Sequence, residues 1–205
     1  MEQPPTEPPL LTYRRAVPAD AKAVQALVKS AYRGVSSRAG WTTEADLVED
    51  DRIDEAGVAA KIKGPGIVLV AHDASGALAG CCEMQGKPGG VGYFGLFAVD
   101  PARQAGGFGR GILAEAERAA RDELGARTVE MSVIWTRREL IEWYVRRGYA
   151  VTERTAPFPY GHLVNGRATR DDLYFVVLEK KLWPRPAGDS VQLPFTTENL
   201  YKGAD

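Results

Sequence analysis

The chain reads as a mixed α/β domain, and three features carry that reading. Residues 67–72 and 77–84 are apolar β-type runs on either side of a turn-rich tetrapeptide, the pattern of a hairpin. Two segments of helical spacing, ending near residues 124 and 147, each stop at a glycine, Gly125 and Gly148. Strand-like runs at 91–99, 128–135, 149–153 and 172–180 interleave with those helices, which is the order of a sheet flanked by helices.

Taken in order, residues 1–10 are expected to be a disordered tail, because four prolines in the first nine residues oppose both helix and ladder hydrogen bonding. A short strand over 11–17 follows. Pro18, Ala19 and Asp20 then start a helix in which Val24, Leu27, Val28 and Ala31 recur at helical spacing up to Gly34. Residues 41–55 are densely acidic, with Thr42 or Thr43 as a helix cap. That stretch is either a solvated helix face or a lid whose carboxylates attract a cationic amine, and Trp41 is either a wall of the acceptor pocket or a core side chain. After the hairpin and the loop 86–90, the strand 91–99 runs straight into a glycine-rich turn. The next helix buries Ile112, Leu113, Ala116, Ala119, Ala120 and Leu124. A Pro/Gly-rich loop, residues 157–166, separates the last two strands. Periodicity stops after Leu182, so the sequence divides into one domain over 11–183 and a tail over 184–205. Within that tail residues 197–201 resemble the start of a protease-site linker, such as a cloning remnant carries, although Lys202 departs from that pattern.

Composition narrows the function. The 205 residues carry 26 Lys+Arg against 27 Asp+Glu, and a net charge of -1 gives no global reason to expect nucleic acid. The apolar runs fall far short of the ~20 residues a spanning helix needs, so no membrane is expected. The acidic, proline-rich start is unlike a secretory signal. Cys81 and Cys82 are neighbours on a strand and point to opposite faces, which disfavours a disulfide and suits a reducing cytoplasm. With two histidines far apart, no metal site is expected. Exposed sheet edges allow a homodimer.

The chemistry gathers at the turn. Gly106, Gly107, Gly109 and Gly111 remove side chains where a ligand must approach backbone, and the first N–H groups of the following helix have no intrahelical acceptor. Arg103 and Arg110 flank that anion-ready terminus. A Walker loop fails, because Gly111 is followed by Ile112 and Leu113 rather than Lys-Ser/Thr. A dinucleotide fingerprint fails where Ile112 stands in place of the third glycine.

What fits is Gln104-x-x-Gly107-x-Gly109 after the strand, which resembles the acetyl-CoA signature of the GCN5-related N-acetyltransferases (GNAT superfamily). Residues 140–149, a helix with central Tyr144 that ends at Gly148 before Tyr149, resemble the second hallmark of the same superfamily. The resemblance implies a central mixed, mostly antiparallel sheet with splayed middle strands and an acetyl-CoA-dependent transfer to a primary amine of a small molecule, by direct attack in a ternary complex without metal. Acetylation of a protein N-terminus or lysine, and a non-catalytic acyl-CoA-binding module, are the alternatives. Matched residue by residue, it implies that backbone groups of Phe97 and Val99 hold the pantetheine arm and that the Phe97 N–H polarises the acetyl carbonyl. Backbone N–H groups of Gln104, Ala105, Gly106, Gly107, Phe108, Gly109 and Arg110 cradle the pyrophosphate, and Tyr144 protonates the departing thiolate. An ammonium with a pKa near ~10 must lose a proton before it attacks. Several relatives place a Glu where this chain has Tyr93, so the base role moves to Glu83 on the adjacent strand, unless Glu83 is only an exposed strand-end carboxylate. Arg137 stands where many relatives have Asn, and faces phosphate, acceptor carboxylate or solvent. Tyr93, Arg137 and, from the late loop, Tyr160 join Trp41 as acceptor-site candidates, with His162 nearby.

Overall fold

The structure is a computed structural model that describes residues 10–33, 37, 38, 40, 42–104 and 106–182. The tail over residues 1–9, Gly34, Trp41, Ala105 and residues 183–205 lie outside the described residues. A seven-stranded sheet runs β1-β3-β4-β5-β6-β9-β7. These strands are β1 (Thr12–Arg15), β3 (Ile67–His72), β4 (Leu78–Lys87), β5 (Val91–Val99), β6 (Thr128–Ile134), β7 (Ala150–Pro157) and β9 (Tyr174–Lys181). A small sheet pairs β2 (Val48–Glu49) with β8 (Arg167–Ala168). In the large sheet β5 with β6 is parallel and the other pairs are antiparallel. The flanking helices are α1 (Ala21–Tyr32), α2 (Glu55–Lys63), α3 (Phe108–Asp122) and α4 (Arg138–Val145).

The two faces of the sheet fill two cores. Cys82, Met84 and Phe94 point to the α3 and α4 side and pack with Ile112, Leu113, Ala116 and Ala120, the stripe whose alanines let α3 approach the strands closely. Cys81, Val70 and Ala98 point the other way, against Val24, Leu27 and Val28 of α1 and Val58 of α2. Both cysteines are free and buried. A third, smaller core of Val48, Ile134, Phe158 and Leu173 seats the β2–β8 ribbon at the open end of the sheet.

That open end is the feature that positions the site. β5 and β6 pair only where Val91, Gly92 and Tyr93 meet Thr128, Val129 and Glu130. Beyond Tyr93, β5 stays on β4 as far as Val99↔Gly80, while β6 stays on β9 as far as Ile134↔Phe175, so the sheet opens into a V. A register shift between Cys81 and Glu83 accompanies Leu96, whose φ of 47° lies in the left-handed region. The irregularity resets the alternation of side chains. Phe94 and Phe97 both reach the α3 side, with ring centroids 5.1 Å apart, while Leu96 packs against the α1 core.

The acidic stretch does not form the expected helix from Thr42 or Thr43. Thr43 Oγ1 accepts the Ala45 N–H at 3.2 Å in a short turn, and the helix begins later, at Glu55, where the Asp54 carboxylate caps it by accepting the Gly57 N–H at 2.7 Å. The carboxylates of the stretch are committed to ion pairs instead. Glu44 and Asp50 turn inward to arginines, while Asp46 pairs with Arg38, Asp51 with Lys29 and Glu49 with Arg167. The segment is therefore not a helix, and these carboxylates are paired with Arg or Lys, which leaves less free negative charge than a lid attracting a cationic amine would present.

Candidate active site

The turn after β5 is built to leave backbone exposed. Gly107 is the N-cap of α3 with φ of 83°, a conformation that favours glycine, and it brings no side chain to cap the first N–H groups. Next to it, a Cβ on Gly109 would lie 3.4 Å from Phe97 Cζ, 3.5 Å from Trp143 Cζ2 and 3.7 Å from Val99 Cγ2, so any longer side chain would fill the groove between the turn and β5. The Gln104 amide pins the turn by donating to the Val99 carbonyl at 3.1 Å and the Thr42 hydroxyl at 2.7 Å.

The two flanking arginines divide their work. Arg103 pairs with Asp73 and, at 3.2 Å, with Asp100, so its charge ties the turn to the hairpin. Arg110 is exposed, and no ion pair among the described residues engages it. Sequence reasoning missed Arg147, just past α4. Its guanidinium lies 3.5 Å from the Trp143 ring centroid, Nη1 donates to the Trp143 carbonyl at 2.6 Å, and Nε is buried with no acceptor. Burial, with repulsion from Arg146 and Arg110, lowers its pKa. The i,i+4 spacing of Trp143 and Arg147 on a predicted helix is the signal that points to it.

Inside the V lies a cavity of about 290 Å³. β5 contributes Phe94 to Phe97, β6 contributes Met131 to Ile134, and Tyr32, Tyr144 and His162 close it. Tyr144 is 4% exposed, stacks edge-on with Trp143 and Tyr149, and its hydroxyl bonds to no described residue. Burial and the neighbouring Tyr32 push its phenol well above the usual tyrosine range, against the pull of Arg137 and Arg52. Tyr32, absent from the sequence expectations, donates its hydroxyl to the Phe97 carbonyl.

One wall of the cavity is ionic. Glu44 Oε2 accepts from Arg33 Nη1 at 2.8 Å and Arg52 Nη1 at 2.6 Å, and its Oε1 accepts from Arg137 Nη1 at 3.2 Å. Arg33 Nε also donates to Asp50 Oδ1 at 2.5 Å, and Arg52 lies 3.9 Å from the Tyr32 ring centroid. Burial acts to raise the Glu44 carboxyl, but Arg52, Arg33 and Arg137 outweigh it and hold it below the usual range. Arg137, at the N-cap of α4, thus faces a buried carboxylate rather than solvent, and its Nη2 is buried without a partner.

The remaining expected residues are spread around this centre. Glu83 is 3% exposed, not an exposed strand end. Its Oε2 accepts from Lys61 Nζ at 2.6 Å and its Oε1 from Gln85 Nε2 at 2.7 Å. Lys61 lines the cavity and Glu83 stands behind it. Tyr93 sits on the closed side of the V, its ring 4.0 Å from Lys87 Nζ. Tyr160 lies outside the cavity, where its hydroxyl accepts the Leu173 N–H at 2.7 Å. Among the described residues no group of three His, Cys, Asp or Glu is arranged to hold a metal ion, and no helix is long and apolar enough to cross a membrane.

Comparison with known proteins agrees with this architecture. Residues 64–151 match the acetyltransferase (GNAT) domain family. No curated protein sequence matches the chain. Among solved structures, a candidate phosphinothricin N-acetyltransferase shares 20% identity over 85% of this chain and 100% of its own, with a TM-score of 0.62. The structure of yncA, a candidate acetyltransferase from Salmonella typhimurium with its cofactor acetyl-CoA, shares 20% identity over 89% and 99%, with a TM-score of 0.60. A spermidine N-acetyltransferase SpeG chimera of Vibrio cholerae and hSSAT shares 16% identity over 83% and 95%, with a TM-score of 0.59. At these identities the likeness is one of fold.

Proposed function

Because residues 64–151 belong to the GNAT acetyltransferase domain family and the sheet has the splayed GNAT architecture, we propose that this protein transfers the acetyl group of acetyl-CoA to a primary amine of a small molecule, by direct attack in a complex holding both. The observation that carries the reading is the V between β5 and β6, which joins an uncapped helix N-terminus to a cavity lined by Tyr144.

Each residue has a task under this reading. Backbone N–H groups of Gln104 and of Gly106 to Arg110 bind the pyrophosphate at the α3 terminus, where the helix dipole favours an anion. The groove bounded by Gly109, Phe97 and Val99 has room for an unbranched arm only because Gly109 carries no side chain. The edge of β5 that β6 abandons holds the pantetheine, and the Phe97 N–H meets the acetyl oxygen. When bound, acetyl-CoA supplies an acetyl group activated as a thioester. Tyr144 keeps its proton at neutral pH, because burial opposes the phenolate, and releases it to the thiolate as the C–S bond breaks. Glu83 is the base at the end of a relay: Lys61 Nζ gives a proton to Glu83 Oε2 and takes in its place the proton that the attacking amine loses.

Release of CoA thiol, measured across amino acids, polyamines, aminoglycosides and short peptides, tests the proposal. Turnover on a small amine is expected. Turnover on peptides alone assigns the protein-directed alternative, and tight acetyl-CoA binding with no turnover on any acceptor assigns a binding module. We assign Arg147, held on Trp143 beside Gly109 and within reach of the Arg110 charge, to a phosphate of acetyl-CoA, and in the active enzyme Arg147→Met is expected to raise KM for acetyl-CoA about 10-fold or more with little change in kcat, the loss typical of one charge-assisted hydrogen bond to phosphate. An unchanged KM would leave Arg147 a purely structural cap on Trp143.

A further inference from the structure

Acetyl transfer needs an amine in the cavity, and the protein supplies one of its own. Among the described residues that line the cavity, only Lys61 carries a primary amine. The two guanidinium groups there, those of Arg33 and Arg52, are held on Glu44 and Asp50. Lys61 Nζ lies 2.6 Å from Glu83 Oε2, but the two side chains differ in freedom. Glu83 is fixed: its side chain is 4% exposed, and Gln85 Nε2 donates to its other oxygen at 2.7 Å. The Lys61 side chain is 33% exposed and also borders a second cavity of about 490 Å³, so its flexible stem has room to swing about the carboxylate. The residue of β5 in register with Glu83 is Gly95, which lines the cavity, and a Cβ there would lie 3.9 Å from Glu83 Oε2. Its missing side chain leaves the pair open to the cavity on that side, two residues before Phe97.

We propose that Lys61 is a self-acetylation site: with acetyl-CoA bound and no acceptor in the cavity, its amine takes the acetyl group. Resting on the acetyl-transfer reading, this adds a second nucleophile to the same site. A nitrogen close enough to receive the acceptor's proton is close enough, after a small swing of its stem, to stand where the acceptor nitrogen would. An ammonium cannot attack, and the carboxylate that turns Lys61 into an amine is already in contact with it. Lys61 Nζ passes one proton to Glu83 Oε2, and its lone pair attacks the thioester carbon. The N–C bond forms and the C–S bond breaks. Tyr144 gives its proton to the departing thiolate, and the second proton lost by Nζ restores the Tyr144 hydroxyl. The products are acetylated Lys61, CoA thiol and one proton, which leaves from Glu83. The amide has no charge to pair with Glu83 and no proton acidic enough to relay, so the modified protein loses its route for the acceptor's proton.

The test is incubation of the protein with acetyl-CoA and no added amine, followed over time by peptide mass mapping. One acetyl group is expected on Lys61, gained at least about 10-fold faster than on Lys63, which lies on the same helix but is exposed and outside the cavity. Excess free CoA should suppress the Lys61 adduct without changing the labelling of Lys63. Glu83→Gln, checked by thermal unfolding, should bring Lys61 down to the rate of Lys63. Protein labelled in this way should acetylate any active amine of the panel more slowly, in proportion to the adduct. Lys61 labelled no faster than Lys63, or undiminished by free CoA or in a folded Glu83→Gln variant, would overturn the proposal, while turnover on amines would leave acetyl transfer standing. Lys61 labelled in a protein that acetylates no added amine would support the proposal and remove the small-amine reading. Acetyl-CoA bound with neither Lys61 nor any amine acetylated would remove both.

Discussion

Tyr144→Phe is expected to lower kcat by about 10²- to 10⁴-fold while leaving acetyl-CoA affinity in place, the range for loss of a positioned general acid. The substitution removes one oxygen from a ring whose packing against Trp143 and Tyr149 is retained. The hydroxyl bonds to no described residue, so its loss breaks no internal hydrogen bond, and the unfolding midpoint should stay the same or rise slightly. The two readouts therefore separate. A large loss of kcat with unchanged stability and unchanged acetyl-CoA binding fits proton donation to the thiolate. Full activity would show that another group, or water in the cavity, delivers that proton. Donors with a better thiolate leaving group should be less sensitive to the substitution, which gives a second check on the same step.

Glu44→Gln is expected to be the most damaging single change in the ionic wall, at about 3–5 kcal/mol, the cost of removing one partner from a buried ion cluster. The side chain is 7% exposed and accepts from three arginines, so the variant leaves two surplus cations where the protein has one. For a chain of this size that corresponds to a fall in Tm of roughly 6–20 °C. The pH dependence follows from the same pairing. The Glu44 carboxyl is held below its ordinary range in the folded state, so its contribution is present above about pH 4 and is lost as pH falls below it. Thermal unfolding followed from pH 6 down to pH 3 should show the native protein losing stability over that window, with a shallower slope in Glu44→Gln. Equal slopes would mean that the arginines are neutralised by something other than Glu44.

The hairpin β3–β4, the glycine turn before α3, the alanine stripe of α3 and the helix bearing Tyr144 were all legible in the order of residues. Each is decided by neighbours a few positions away: side-chain alternation, helical period, and glycines that end a helix or clear side chains from a turn. The shape of the site was not legible in that way. Whether β6 follows β5 or leaves it depends on its seven-residue pairing with β9, nearly fifty positions further along the chain. The acidic stretch read as helix or lid because nothing near it in sequence says that Glu44 meets Arg137, 93 positions away. Burial of Glu83 behind Lys61, 22 positions earlier, was hidden for the same reason. Local patterning selects the elements, since backbone geometry and turn chemistry act over a few residues. Charge pairing acts through space, and its partners exist only once the sheet has brought α1, α2 and α4 around the open end of the V.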